Sequence, residues 1–322
     1  MATTRRTTTT VRLVVDTDAK NEADDQYAVV HALLSETLDV RGIVPAHFGT
    51  GRSATSTADS RAEVDLLLEL LGRSGSVRVA DGAPVALPDE RTPVDSPGAR
   101  LIVQEALADD DRPLFVAFLG PLTDMASALL LEPRIAERDL TVVWIGGPSY
   151  DGVWDGPKPE FNLSNDVHAA NVVFGSGVEL WQVPRSVYTR VGVGYAELEE
   201  RVAPCGRVGR YLVDQLVAWN DEHHPRAIEH RSLGDSPAIG AVLNPQGAVW
   251  RRRVAPRFTE ECTMTGGADP ERTLLVCEEF DTRYLLEDFF AKLRRATVIN
   301  AAPESLPPSG PGSPAPARRR SP

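Results

Sequence analysis

The sequence predicts an α/β protein, an open and mostly parallel sheet with helices on both faces. Three observations carry this. Short apolar runs alternate with longer amphipathic ones as far as Pro184, a βαβα rhythm. Four aspartates, Asp16, Asp18, Asp24 and Asp25, crowd the place where the first apolar run ends and a helical pattern begins, which is where open parallel sheets collect their chemistry. The chain of 322 residues is long enough to bury a sizeable core.

Residues 11–15 form the first strand, and Tyr27, Val30, His31 and Leu34 mark the helix after it. Carboxylates packed this closely repel one another, so a bound cation or raised pKa values must offset the repulsion. A cation is the simpler answer, and hard oxygen donors suit Ca2+ or Mg2+. Asp24 and Asp25 alone also fit a helix N-terminus, where the macrodipole favours negative charge. Asp16 and Asp18 do not, because aspartate is disfavoured in strands and these two alternate at a strand end.

Further strands are expected at 40–46, 77–80, 114–119, 140–145 and 180–183, with helices at 58–71, 99–108, 122–131 and 167–174 between them. Right-handed crossovers then place helices on both faces. Beyond Pro184 the rhythm changes. Residues 195–244 read as a helical elaboration with its clearest helix at 208–222, residues 248–280 as short strand pieces, and 282–295 as a closing helix. With no internal repeat or linker, 11–299 is expected to be a single domain between a disordered N-terminus (1–10) and a disordered Pro-rich tail (300–322) ending near Arg318, Arg319 and Arg320.

The formal net charge of −12 argues against a nucleic-acid backbone or an anionic membrane as partner. A small ligand fits better. Cys205, Cys262 and Cys277 are odd in number and widely spaced, without a CxxC, so neither a disulfide framework nor a thiolate zinc site is indicated. No stretch reaches the ~18 apolar residues of a membrane span, and the start lacks a secretory apolar core. A cytoplasmic protein is expected.

A second cluster lies downstream. Glu160 and Asn162 can hydrogen-bond vicinal hydroxyls of a sugar, since carboxylate accepts and amide does both; loop polarity with an Asp166 helix cap accounts for the same residues equally well. Gly120, Pro121, Leu122, Thr123 and Asp124 form a strand-to-helix turn, and Asp235 precedes Pro237 as an ordinary N-cap would.

In this order the pieces resemble the inosine-uridine preferring nucleoside hydrolase family, whose opening signature is DxDxGxDD. The resemblance spans most of residues 11–245. It implies a nucleoside hydrolase-like fold and metal-dependent cleavage of the N-glycosidic bond of a ribonucleoside or related ribosyl compound, giving free base and ribose. It further implies that Asp18 binds Ca2+, with Mg2+ an alternative, and acts as general base on a metal-held water. Asp25, Asp235 and a backbone carbonyl near Thr123 would be further ligands, Asp16 would support the site, and Asp24, Glu160 and Asn162 would hold ribose hydroxyls. Members of the family are commonly dimers or tetramers. The implied chemistry is physically coherent: positive charge develops on the sugar ring as the bond breaks, and carboxylates stabilise it.

The departures are equally specific. Between Asp18 and Asp24 stand Ala19, Lys20, Asn21, Glu22 and Ala23, two residues more than the family's loop and without its glycine. Lys20 or Glu22 can therefore enter the site, and Asn21, tolerant of left-handed backbone, can replace the glycine. Pro45, Ala46, His47, Phe48 and Gly49 stand where the family has a ribose-binding Asn turn. Gly234 stands where purine-cleaving members carry a histidine, leaving His47 or His230 to assist the leaving base. His223 and His224 read as exposed. Trp154 is positioned to stack on a base or shield the site. Two alternatives follow: a haloacid dehalogenase-type phosphohydrolase, which shares a strand-DxD but would leave the Glu160–Asn162 cluster unexplained, and a non-catalytic sugar- or nucleoside-binding relative, motivated by Gly234.

Overall fold

The computed structural model describes residues 10–267 and 269–301. Strand β1 (Val11–Thr17), helix α1 (Asp25–Leu34), strand β2 (Leu38–Pro45) and helix α2 (Ser56–Leu70) come first, followed by α3 (Pro97–Ala106), β3 (Leu114–Phe118), α4 (Thr123–Leu131) and β4 (Leu140–Ile145). Then come α5 (Phe161–Asn165), α6 (Val167–Gly175), β5 (Glu179–Val183), α7 (Arg185–Tyr188), β6 (Gly192–Gly194), α8 (Tyr195–Arg201), α9 (Gly206–His223) and β7 (His230–Ser232). The chain closes with α10 (Ser236–Leu243), β8 (Ala248–Val254), β9 (Arg257–Phe258), β10 (Met264–Thr265), β11 (Thr273–Phe280) and α11 (Thr282–Ala301).

Seven strands form one sheet in the order β2-β1-β3-β4-β5-β11-β8. All neighbours are parallel except β11 and β8. The expected α/β architecture is therefore present. Alternation along β1 distributes side chains to two cores: Leu13 and Val15 face the α1, α9 and α11 side, whereas Val14 packs with Val116, Phe118 and Trp144 on the other. Asp16 shares the Val14 face, and Thr17 the α1 face.

Two expectations need correction. The strand at 77–80 reduces to one bridge between Val79 and Ile43. Ile43 donates to the Arg78 carbonyl and Ala80 N to that of Ile43, but the next donor would be Pro45, which has no N–H. The strand pieces expected at 248–280 are present, and two of them, β8 and β11, extend the central sheet. The closing helix runs to Ala301 rather than Arg295. Apart from Thr10 and residues 300–301, the segments expected to be disordered lie outside the described residues. Among the described residues no helix is long and apolar enough to cross a membrane.

The sheet order places the site. Strand β1 lies between β2 and β3, and its crossover leads to β2 while β3 joins its other edge. The chain thus reverses its direction of travel across the sheet at β1, and a crevice opens beyond the carboxyl ends of β1, β3 and β4. Helix α10 packs against α1, β3 and β4, which carries its N-cap residue Asp235 to the same end.

Candidate active site

A cleft of about 70 Å³ at this end is lined by Asp18, Asn21, Glu22, Asp24, Asp25, Leu119, Ile145, Glu160, Phe161, Asn162, Tyr188, Gly234 and Asp235. Residues from six separate stretches of sequence meet here, among them six of the site residues expected from the sequence: Asp18, Asp24, Asp25, Glu160, Asn162 and Asp235.

The acidic centre is built from β1 and the first turn of α1. Asp18 leaves the end of β1 against Gly120, where an added Cβ would lie 2.9 Å from the Asp18 carboxyl carbon; glycine is needed there for the close approach. The Thr17 hydroxyl donates to Asp25 at 2.5 Å. The Gly234 amide donates to Asp24 at 2.8 Å, and Arg231 stands 3.6 Å from its other oxygen. Carboxylate oxygens of Asp24, Asp25 and Asp235 lie within 4.8 Å of one another.

Burial dominates the electrostatics, and mutual repulsion adds to it. Asp18 and Asp235 are pushed well above the usual carboxylate range by burial and then by the charge of Asp25. Burial raises Asp25 to about 7, with the charge of Asp24 adding to it, and Asp24 to about 6 despite the opposing Arg231. The Asp18 Oδ2 atom is buried without a hydrogen-bond partner.

An orphaned carboxylate oxygen beside three converging carboxylates is an all-oxygen donor set, which fits a hard divalent cation. Asp24 is the least available of the four, being engaged by Gly234 and Arg231. Asp18, Asp25 and Asp235 therefore fit the ligand role best. Asp16 is fully buried behind them with neither oxygen partnered, and burial followed by the charge of Asp124 drives its pKa well up. It does not line the cleft.

Thr123 does not lie in the cleft. As the first residue of α4 its carbonyl is directed along the helix, and its hydroxyl donates to Asp166 at 2.7 Å. Leu119, at the end of β3, lines the cleft instead. Asn162 donates to the carbonyls of Leu119 and Ile145 at 2.7 and 2.8 Å, which pins its amide across two strand ends and leaves its Oδ1 for a ligand. Glu160 caps α5 and accepts from Gly147 N, Leu163 N, Asn162 N and the Tyr188 hydroxyl.

Neither candidate histidine reaches the cleft. His47 is buried; its Nδ1 accepts from Gly49 N and its Nε2 meets the Thr123 hydroxyl at 2.8 Å, so it braces the wall below. Burial holds its pKa down to about 4, and it is neutral. His230 is exposed on β7 against Gly192. Trp154 is 82% exposed and stands outside the cleft, on a loop whose neighbouring Asp155 is tied back to Ser149. His223 and His224 are exposed, as expected.

The enlarged loop behaves differently from its expectation. Lys20 turns out to Glu63 at 2.9 Å, whereas Asn21 and Glu22 enter the lining. Asn21 does not adopt a left-handed backbone; no residue of 19–23 does. The loop closes instead with Asn21 N on the Asp18 carbonyl and Gln26 on that of Ala19. Glu22 pairs with Arg231, whose guanidinium lies 4.2 Å over Trp219. Arg52 bonds Asn21 and stacks 4.1 Å over Phe161, two residues of the lining. The cleft is well below the ~300 Å³ of a typical small-molecule pocket. Tyr188, Arg231 and Arg52 carry no sequence signal of their own, because each is brought in by a different element. No lysine lines the cleft, which leaves the phosphohydrolase alternative without its cation.

Comparison with known proteins agrees with this geometry. The family model described as inosine-uridine preferring nucleoside hydrolase matches residues 13–287. The probable uridine nucleosidase 2 of Arabidopsis thaliana is 26% identical over 269 residues, covering 76% of this chain and 81% of that protein. The pyrimidine-specific ribonucleoside hydrolase RihA of Citrobacter koseri is 28% identical over 248 residues, covering 69% and 77%. Among solved structures, a plant nucleoside hydrolase, PpNRh1, superposes with a TM-score of 0.72 at 21% identity, covering 88% of this chain and 99% of that one. A purine-preferring ribonucleoside hydrolase from Gardnerella vaginalis gives 0.73 at 18% identity, covering 89% and 99%.

Proposed function

The chain belongs to the inosine-uridine preferring nucleoside hydrolase family, and from that premise we propose how its own residues divide the work of cleaving a ribonucleoside into base and ribose. The enzyme is a nucleoside hydrolase; the assignments below are our reading. The observation that carries them is the convergence of Asp18, Asp24, Asp25, Asp235, Glu160 and Asn162 on one cleft.

Asp18, Asp25 and Asp235 would hold the divalent cation, with the Leu119 carbonyl as the backbone donor in place of Thr123. Ca2+ is favoured over Mg2+ because an irregular set of carboxylates and a carbonyl suits its flexible coordination. When bound, such an ion lowers the pKa of a coordinated water toward neutrality. Asp18 accepts the proton of the attacking water, its partnerless Oδ2 being the available base. Glu160 and Asn162 hold ribose hydroxyls from one wall, and Asp24, oriented by Gly234 and Arg231, from the other. The acidic lining stabilises the positive charge that grows on the ring as the bond breaks. Three free cysteines support a reducing, cytoplasmic setting. On the family resemblance we also propose a dimer or tetramer, which sedimentation checks.

The test is release of reducing sugar from purine, pyrimidine and nicotinamide ribosides, with and without chelator, for the native protein and Asp18→Asn. Activity abolished by chelator and restored by Ca2+ supports the reading. Turnover that survives metal removal, or an unimpaired variant, overturns it.

A further inference from the structure

Among the acids expected to hold the sugar, Glu160 is distinct in that its hydrogen-bonding capacity is already filled from within the chain. A carboxylate offers about four lone-pair directions. At Oε2, Glu160 accepts from Gly147 N at 2.7 Å and Leu163 N at 2.9 Å; at Oε1 it accepts from Asn162 N at 3.2 Å and from the Tyr188 hydroxyl at 2.9 Å. Three of these donors are main-chain amides fixed by the turn after β4 and the first turn of α5. Only the Tyr188 hydroxyl can turn about a single bond.

The Tyr188 ring itself has nowhere to go. Its Cδ2 lies 3.0 Å from where a Cβ on residue 234 would sit, so Gly234 makes room for it. Its carbonyl accepts from the Ser232 hydroxyl at 2.8 Å and from Val191 N at 3.3 Å, which anchors the backbone. Tyr188 lines the cleft beside Glu160. Burial and the adjacent carboxylate push the phenol well above its ordinary range, so it acts as an O–H donor and not as an acid.

We infer that Tyr188 is a positioning residue for the sugar: its hydroxyl holds Glu160 in this structure, and transfers to the substrate when a ribose hydroxyl takes its place on Oε1. The inference rests on the reading of Glu160 as a sugar-holding residue. In the exchange the ribose O–H donates to Glu160 and the Tyr188 O–H donates to a sugar oxygen. No covalent bond to hydrogen is broken: Tyr188 exchanges one acceptor for another, and the ribose hydroxyl exchanges a water for Glu160.

The experiment measures kcat and KM for the native enzyme, Tyr188→Phe, Glu160→Gln and the double variant, each with a ribonucleoside and its 2′-, 3′- and 5′-deoxy counterparts. Tyr188→Phe is expected to lower kcat/KM roughly tenfold or more with the ribonucleoside, as loss of a hydrogen bond in a charged pair does, and less than about twofold with one deoxy counterpart. That counterpart is the same one that is insensitive to Glu160→Gln, and the double variant is no worse than Glu160→Gln alone. An equal loss with every substrate, or none with any, overturns the role of Tyr188. If Glu160→Gln leaves ribonucleoside cleavage intact, it is the sugar-holding reading of Glu160 that fails, and this inference with it.

Discussion

Asp16 and Asp18 are two residues apart on one strand end, yet their surroundings assign them different work. Asp18 reaches the cleft because Gly120 lets it approach the end of β3. Asp16 is fully buried and lines no part of the cleft. Replacing Asp18 by Asn removes a base and keeps the shape, so kcat is expected to fall ~100- to 10,000-fold. The chelated variant should melt no lower than the chelated native protein, since a carboxylate disfavoured by burial has been neutralised. An unchanged kcat contradicts the assignment. Trp154→Ala is expected to leave kcat/KM within about twofold of native, as surface changes generally do; a larger loss in steady-state kinetics means that the exposed ring folds over the site. The aspartates were legible in the sequence because their chemistry is unusual at a strand end. Tyr188, Arg52 and Arg231 were not, because a tyrosine or arginine looks the same in sequence whether it faces solvent or a cleft.

At the level of elements, the opening β1–α1 unit and the alternation through β5 were readable from periodicity, which is a local property. The fate of residues 77–80 was not, since it turned on Pro45 in a neighbouring strand lacking a donor. The enlarged loop was equally opaque: its five residues are sorted by partners far away, with Lys20 drawn to Glu63 and Glu22 to Arg231. Helices α3 and α4 are joined through Asp124, which accepts from the Ser96 hydroxyl and from Ala83 N at 3.0 Å. Burial raises Asp124 to about 6 against its hydrogen bonds. The folded state thus keeps a proton that the unfolded chain releases near pH 3.8, and the stability this carboxyl contributes is lost as pH rises from there through about 6. Asp124→Asn is expected to flatten that decline. Urea unfolding at about pH 4.5 and about pH 7.5 reads it, and an equal decline in both proteins rules it out.

For the molecule as a whole, the proposed cation would couple the buried acids to stability. Asp24 and Asp25 are raised to about 6 and about 7, so without a cation the folded state gains buried charge, and loses stability, as pH climbs through that window. Added Ca2+ is therefore expected to raise the melting temperature more at about pH 8 than at about pH 5.5. A melting temperature indifferent to chelator at both values removes the cation from the site. The sequence by itself determined the α/β class and the acidic strand end, because apolar period and charge density are written within a few consecutive positions. Only the tertiary structure decided that Leu119 and not Thr123 lines the cleft, that His47 and Trp154 stay out, and that Tyr188 fills the last place on Glu160. Those outcomes depend on how β11, α10 and the β6–β7 hairpin return to one end of the sheet, and such closure is set by packing among distant residues, which no local pattern records.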